Sequence, residues 1–288
     1  MIVTKLMGGL GNQMFQYAAG RFLAWKQDVP LFVDSGFLEA DPAGKYTKRK
    51  LELDQLHVKL IIADKRILKT FRQGRFRSLL RSFSHGGKTT ILSDTHRFNE
   101  AFLQTGNSAY LNGFWQSELY FIPIRSLLLE EFTPNFEFSA DETKLRERIQ
   151  SSSNSVAIHV RRGDYVNHAE ASQFHGVCDM NYYDAAILYV KSRVELPEFF
   201  IFSDDIGWCR SNFGSLANCI FVETKSAHAA TDLFLMAECN HNIIANSSYS
   251  WWSAWLNKNE KKMVIAPKSW FREPNFNPDI YCSNWIRR

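Results

Sequence analysis

An α/β chain of two Rossmann-like halves facing a cleft is the fold class this sequence predicts, and three observations predict it. After residue 150 the runs Val156 to Val160, Phe199 to Phe202, Cys219 to Val222, Asn242 to Ala245 and Met263 to Ala266 are short and almost wholly apolar, as strands of a parallel sheet covered on both faces must be. Between them lie segments that read as crossover helices, namely Asn181 to Val194, Ile206 to Phe213, Ala229 to Cys239 and Ser250 to Asn257. The N-terminus repeats the idea, with a strand over Ile2 to Leu6, a glycine turn, a helix over Gln13 to Lys26 and a strand over Leu31 to Val33.

The polar break Ser151-Ser152-Ser153-Asn154 precedes the better-marked sheet, so the expected boundary falls near 150, with residues 1–150 as one half and 151–288 as the other. From 40 to 105 basic, Gly- and Ser-containing segments interrupt any periodicity and no topology is legible. In an open α/β sheet the ligand lies beyond the carboxyl ends of the strands, so the chemistry is expected in the loops that follow them.

Composition narrows the class. Of 288 residues, 45% are hydrophobic and 22% charged, which suits a globular chain with real cores rather than a disordered one. Five cysteines stand without any C-x-x-C spacing, supporting neither a zinc ribbon nor a disulfide framework, and a reducing compartment is expected. The N-terminus lacks the charged, apolar and small-residue regions of a signal peptide, and no run approaches the length of a membrane span. The expectation is a soluble cytoplasmic protein.

A net charge of +4 is too small to suggest a nucleic-acid partner. Its distribution is uneven, because seven Lys or Arg and no Asp or Glu lie from Lys65 to Arg81, interleaved with Ile67, Leu68, Phe71 and Phe76. A solvated helix face is the common reason for such a run. Peripheral contact with an anionic inner-membrane surface is the other reading of this stretch.

Four motifs carry chemistry. In the first, the strand Val156-Ala157-Ile158-His159-Val160 runs into Arg161-Arg162-Gly163-Asp164. A guanidinium stays charged and grips phosphate oxygens through a planar fork, so two of them after a strand suit a diphosphate. For an isolated R-R-G-D an ordinary surface turn with ion pairs is the better explanation; His159, polar inside an apolar strand, shifts the balance towards a site. In the second, Asn246-Ser247-Ser248-Tyr249-Ser250 joins a strand to a helix, an arrangement that fits an anion-binding helix N-terminus or plain capping. In the third, Ser203-Asp204-Asp205 ends another strand, to bond a guanine or ribose or to cap the next helix. No D-x-D triplet occurs, so arginine is expected to replace a divalent ion. In the fourth, Gly8-Gly9-Leu10-Gly11-Asn12-Gln13 opens the first helix with glycines that permit close approach of a ligand and amides that can bond one.

Taken together, G-G-L-G-N-Q-M-F-Q-Y-A, H-V-R-R-G-D-Y, F-S-D-D and N-S-S-Y-S-W-W-S-A-W resemble the bacterial α-1,2-fucosyltransferases of glycosyltransferase family 11. The resemblance implies a GT-B architecture, GDP-β-L-fucose as donor, inversion at the anomeric carbon and no cofactor or metal. It also implies the 2-hydroxyl of a β-galactoside as acceptor, in surface glycan (O-antigen) assembly where the acceptor is lipid-linked. Carried over, Arg161 and Arg162 bind the diphosphate, and His159 and Asp164 belong to the same motif. Through a looser likeness to peptide O-fucosyltransferases, Asn12 lies beside the transferring sugar. Gly9, Gly11, Gln13, Ser203, Asp204, Asp205, Asn246, Ser247, Ser248 and Ser250 are the expected remainder of the donor site. His159, Asp164 and Asp204 each stand as the general base. A non-catalytic nucleotide- or glycan-binding module is the alternative.

Overall fold

The computed structural model describes residues 1–39, 49–77, 90–163, 176–273 and 276–288. The chain divides into two compact units, Met1–Thr133 and Pro134–Arg288. The helix Ala140–Ser151 therefore belongs to the second unit, where Ile149 joins a core with Ala157, Phe200, Phe202 and Leu235. Its start is a capping box at Ser139 and Glu142, a signal for the beginning of a structural unit rather than the end of one.

In the first unit, β1 (Ile2–Lys5), β2 (Leu31–Asp34), β3 (Thr90–Ser93) and β4 (Ala109–Asn112) form a parallel sheet in the order β2-β1-β4-β3. Helix α1 (Leu10–Lys26) links β1 to β2 and is buried along most of its length, with Met14, Phe15, Tyr17, Ala18 and Leu23 fully enclosed. Helix α2 is the single turn Gly36–Glu39, and α3 spans Lys65–Arg77. From α3, buried Phe71 and half-buried Ile67 and Leu68 pack with Val3, Phe32 and Tyr110 of the sheet.

The second unit contains a six-stranded parallel sheet in the order β10-β9-β8-β5-β6-β7. Its strands are β5 (Ser155–Val160), β6 (Glu198–Ser203), β7 (Cys219–Val222), β8 (His241–Ile243), β9 (Val264–Ala266) and β10 (Ile286–Arg287). The crossover helices are Met180–Lys191, Ile206–Phe213, Thr231–Glu238 and Ser248–Leu256, close to the spans predicted. Side chains of β5 alternate between two cores. Val156, Ile158 and Val160 pack with Tyr183, Ile187 and Val190 of the helix Met180–Lys191, while Ala157 faces Leu235 and Met236. That double covering is why the strands read as unbroken apolar runs.

Both sheets reverse direction part-way. Beyond β5 the chain moves outward to β6 and β7, then returns to the other side of β5 as β8 and continues to β9. Strand order reverses between β1 and β4 in the first unit as well. Such a switch point is where an open α/β sheet leaves space for a ligand beyond its strands.

Candidate functional site

Parallel pairing sets Val160 of β5 opposite Ser203 of β6, so the residues following both strands emerge side by side. Arg161 and Arg162 thereby meet Asp204 and Asp205. Arg161 Nη1 lies 2.9 Å from Asp204 Oδ2, and the backbone N–H groups of Arg162 and Gly163 donate to Asp204 Oδ1 and Oδ2 at 2.9 and 3.1 Å. Asp205 Oδ1 caps the helix Ile206–Phe213 by accepting from Trp208 N, and its Oδ2 accepts from Arg162 Nε at 3.2 Å. The Arg162 guanidinium stacks 4.2 Å over the Trp208 ring. Gly163 is required by closeness, since a Cβ there would stand 2.9 Å from Asp204 Oδ2.

The arginines do not point into bulk solvent, their side chains being 26% and 21% exposed. They form a bracketed, charge-balanced loop on the β5 side of the switch point. Asp204 and Asp205, expected to bond guanine or ribose or to cap a helix, instead hold the arginine loop, and Asp205 caps as well. Ser203 Oγ accepts from Asp205 N and so fixes the same turn. A carboxylate only a quarter exposed and already bonded by three donors is a brace, and as a general base Asp204 would have to surrender them.

His159 lies one residue from this loop but inside the strand, only 6% exposed. Its Nδ1 has no hydrogen-bond partner among the described residues, and its ring faces Tyr249 at 5.8 Å. Burial, and then the charge of Arg161, push its pKa down to about 3 against a weaker opposing effect of Asp204. An imidazole held neutral so firmly accepts protons poorly at neutral pH, so His159 suits hydrogen bonding rather than general-base work. Asp164, the third candidate, lies outside the described residues.

On the other side of the switch point the loop after β8 shows the capping that the sequence offered as one of two readings. Asn246 is buried and donates to the carbonyls of Gly176 and Trp270, while accepting from Cys178 Sγ. Ser247 caps its helix through Tyr249 N, and buried Ser250 donates to the carbonyls of Ala245 and Ser247. These three side chains serve the loop itself. Ser248 alone of the four is half-buried with its side chain unengaged among the described residues. The sequence singled out no role for Tyr249, which clamps the neighbouring segment by donating to Ala229 O and accepting from Leu233 N.

In the first unit Gly9 is the N-cap of α1 and Gly11 is buried in its first turn. The glycine that backbone conformation demands is Gly8, at φ +76, where a Cβ would lie 2.5 Å from Asn12 Nδ2. Gln13 is fully buried. Its amide donates to Gly8 O and Lys50 O and accepts from Glu52 N, so it ties the glycine loop to the segment at 50–52 instead of facing a donor. Half-buried Asn12 accepts from Gln116 Nε2 at 2.8 Å. Glu52 went unnoticed in the sequence. Its carboxyl sits against the start of α1, and burial raises its pKa despite a hydrogen bond from Leu10 N–H. Among the described residues no three His, Cys, Asp or Glu side chains gather as a metal-ligand set.

Residues 80–288 match the family described as Glycosyl transferase family 11. The chain belongs to that family. It is 34% identical over 298 aligned positions, all of this chain and 98% of the relative, to an Escherichia coli protein named alpha-1,2-colitosyltransferase. It is 33% identical, over 98% of both, to the E. coli O-antigen biosynthesis glycosyltransferase WbnK. A Bos taurus galactoside 2-alpha-L-fucosyltransferase SEC1 is 31% identical over 52% of this chain and 43% of its own length. Among solved structures, NodZ alpha-1,6-fucosyltransferase superposes with a TM-score of 0.51 at 15% identity, covering 88% of this chain and 91% of that one. The Arabidopsis thaliana FUT1 structure in complex with GDP gives 0.50 at 14%, over 91% and 69%. These superpositions bear out the two-unit α/β architecture that the strand pattern predicted, and family membership makes the chain a glycosyltransferase.

Proposed function

We propose that this glycosyltransferase moves L-fucose, with inversion and without a metal, from GDP-β-L-fucose to the 2-hydroxyl of a β-galactoside during O-antigen assembly. The observation that carries the reading is the arginine loop bracketed by Asp204 and Asp205 at the switch point of the second sheet. The α-1,2 linkage and the O-antigen setting draw support from the names of the full-length relatives, and the fucosyl donor from the name of the SEC1 relative.

In the reaction the acceptor hydroxyl attacks the anomeric carbon and gives its proton to a general base, as the bond to the pyrophosphate oxygen breaks and that oxygen leaves with the electron pair. Asp164 is the candidate for that base, because Asp204 braces the arginine loop and His159 is held neutral by burial. Arg161 and Arg162 stabilise the negative charge that develops on the leaving group, the largest contribution a site of this kind makes. Asp204 and Asp205 hold both guanidinium groups before substrate arrives, so little reorganisation is needed during the reaction.

A second reading of the donor follows from the full-length relative named for colitose, the 3-deoxy counterpart of L-fucose. Incubation with GDP-fucose or GDP-colitose and a β-galactoside, with released GDP measured and the product linkage read by NMR, separates the two donors. Binding of GDP-fucose without GDP release or product would leave a binding module and overturn the transferase reading.

Helix α3 bears on where the acceptor is met. Seven of the 34 basic residues and none of the 30 acidic ones fall between Lys65 and Arg81; the remaining chain carries 27 against 30, a net charge of −3. Because Phe71, Ile67 and Leu68 pack on the sheet, these three apolar side chains of α3 are not available for insertion into a bilayer. The exposed Lys65, Arg66 and Lys69 support peripheral contact with anionic lipid by electrostatics alone. No helix among the described residues is long and apolar enough to cross a membrane.

A further inference from the structure

The segments that follow β1 and β4, neighbours at the switch point of the first sheet, meet through a side-chain hydrogen bond from Gln116 Nε2 to Asn12 Oδ1 at 2.8 Å. The segment that delivers Gln116 is held from several directions. Asp94, just after β3, accepts from the backbone N–H groups of Phe114 and Trp115 at 3.1 and 2.9 Å. Gly113 fits only without a side chain, a Cβ there standing 2.0 Å from that of Asp94. Trp115 adopts φ +54, a conformation a bulky residue keeps only when its surroundings enforce it. Its ring is buried and touches Phe102 and Tyr120 with centroids 5.3 Å away in each case. Trp115 and Ser117 are both buried, leaving half-buried Gln116 between two fixed points.

Asn12 is constrained equally. Its side chain lies over Gly8, where no Cβ can stand, and Gln116 occupies its carbonyl oxygen with a donor. Among the described residues the Asn12 amino group makes no hydrogen bond. An amide whose oxygen already receives a donor presents N–H, not C=O, to whatever binds at the loop.

Resting on the functional reading above, we infer that Gln116 is a positioning residue. It fixes the Asn12 amide so that its amino group is the donor offered to a substrate oxygen beyond the carboxyl end of β1. Strain at Trp115 and the close fit at Gly113 serve to present that one side chain.

The test compares Q116E and Q116K in the full chain, alone and in an N12A background, with kcat, the KM for GDP-fucose and the unfolding midpoint measured for each. A carboxylate at 116 accepts and cannot donate, so the Asn12 amide turns over and offers its oxygen. The expected result for Q116E is a kcat lower by about tenfold or more, with little change in KM and a wild-type unfolding midpoint. Q116K, which still donates, retains activity within a few-fold of wild type. With Asn12→Ala already present, Q116E has no additional effect. Full activity in Q116E, equal losses in both variants, or a further loss in the N12A background overturns the inference. A wild-type chain that transfers neither fucose nor colitose overturns the functional reading and this inference with it, whereas an active wild type with an indifferent Q116E overturns this inference alone.

Discussion

Arg161 Nη1 and Asp204 Oδ2 lie 2.9 Å apart, each side chain about a quarter exposed, and the same carboxylate receives the N–H groups of Arg162 and Gly163. One aspartate thus shapes the loop and aims its first guanidinium. Asp204→Asn keeps the size but removes the charge and places an amino group where an acceptor is needed. Misplacing a group by about an ångström can cost on the order of a hundredfold in rate, so transfer should fall by that order while affinity for a neutral acceptor stays nearly constant. A kcat within a few-fold of wild type would show that the bracket is dispensable.

Arg161→Ala removes the leaving-group donor itself. Loss of one such donor typically costs about a hundred- to a thousandfold, and the parallel sheet beneath the loop should be unaffected. Steady-state kinetics together with a thermal melt decide the matter. More than a tenth of wild-type activity in a folded variant would remove Arg161 from the mechanism.

How these residues come to face each other was not legible in the sequence. Strands β5 to β9 and the crossover helices of the second unit could be read from apolar runs and their spacing, because both faces of that sheet are buried, whereas the two-residue edge strand β10 offers no such run. Side-by-side placement of Arg161 and Asp204 depends on the register of β5 against β6, a long-range relationship that periodicity does not encode. The same reason hid the Gln116 to Asn12 bond, whereas β3 escapes a sequence reading for a local one. Thr90–Ser93 is an exposed edge strand without the apolar pattern of a buried one. In the loop after β8, hydroxyls and amides chosen for their chemistry proved to be capping and bridging groups, and sequence does not separate the two roles.

His159 makes stability depend on acid. In the unfolded chain it titrates near the ordinary value of 6.5, whereas in the folded protein burial holds it near 3. Between those values the unfolded state binds a proton that the folded state refuses. Its contribution is therefore intact above about 6.5 and is lost progressively as pH falls towards 3. Urea midpoints at pH 7 and pH 4.5 should differ less in His159→Gln than in the wild type. An identical pH dependence in the two would show that the ring is not the group concerned.

Electrostatic attachment of α3 to lipid predicts a steep response to salt. With a Debye length of about 10 Å at 0.1 M and 3 Å at 1 M, co-sedimentation with phosphatidylglycerol-containing vesicles should be strong at low ionic strength and vanish at high. The triple substitution K65E, R66E, K69E should abolish it without altering transfer to a soluble acceptor, since Phe71, Ile67 and Leu68 keep the helix on its sheet. Binding that persists in high salt would mean insertion of apolar groups, which the packing of α3 contradicts, and no binding at all would remove the membrane from the account.

Gly8 offers the sharpest test of the first unit. An L-residue at φ +76 carries a conformational cost of roughly 1–2 kcal/mol, and a methyl group there would also meet Asn12 Nδ2 at 2.5 Å. Because Gln13 bonds Gly8 O and Lys50 O from the fully buried side, the backbone has little freedom to move away, and the Asn12 amide must yield instead. Gly8→Ala should therefore lower the unfolding midpoint modestly and depress kcat far more than stability alone explains. Gly9→Ala, at an extended N-cap with its nearest neighbour 3.8 Å from the added methyl, should leave folding almost intact. If both substitutions weaken activity in proportion to stability, the glycine loop serves only the fold and Asn12 has no part in transfer.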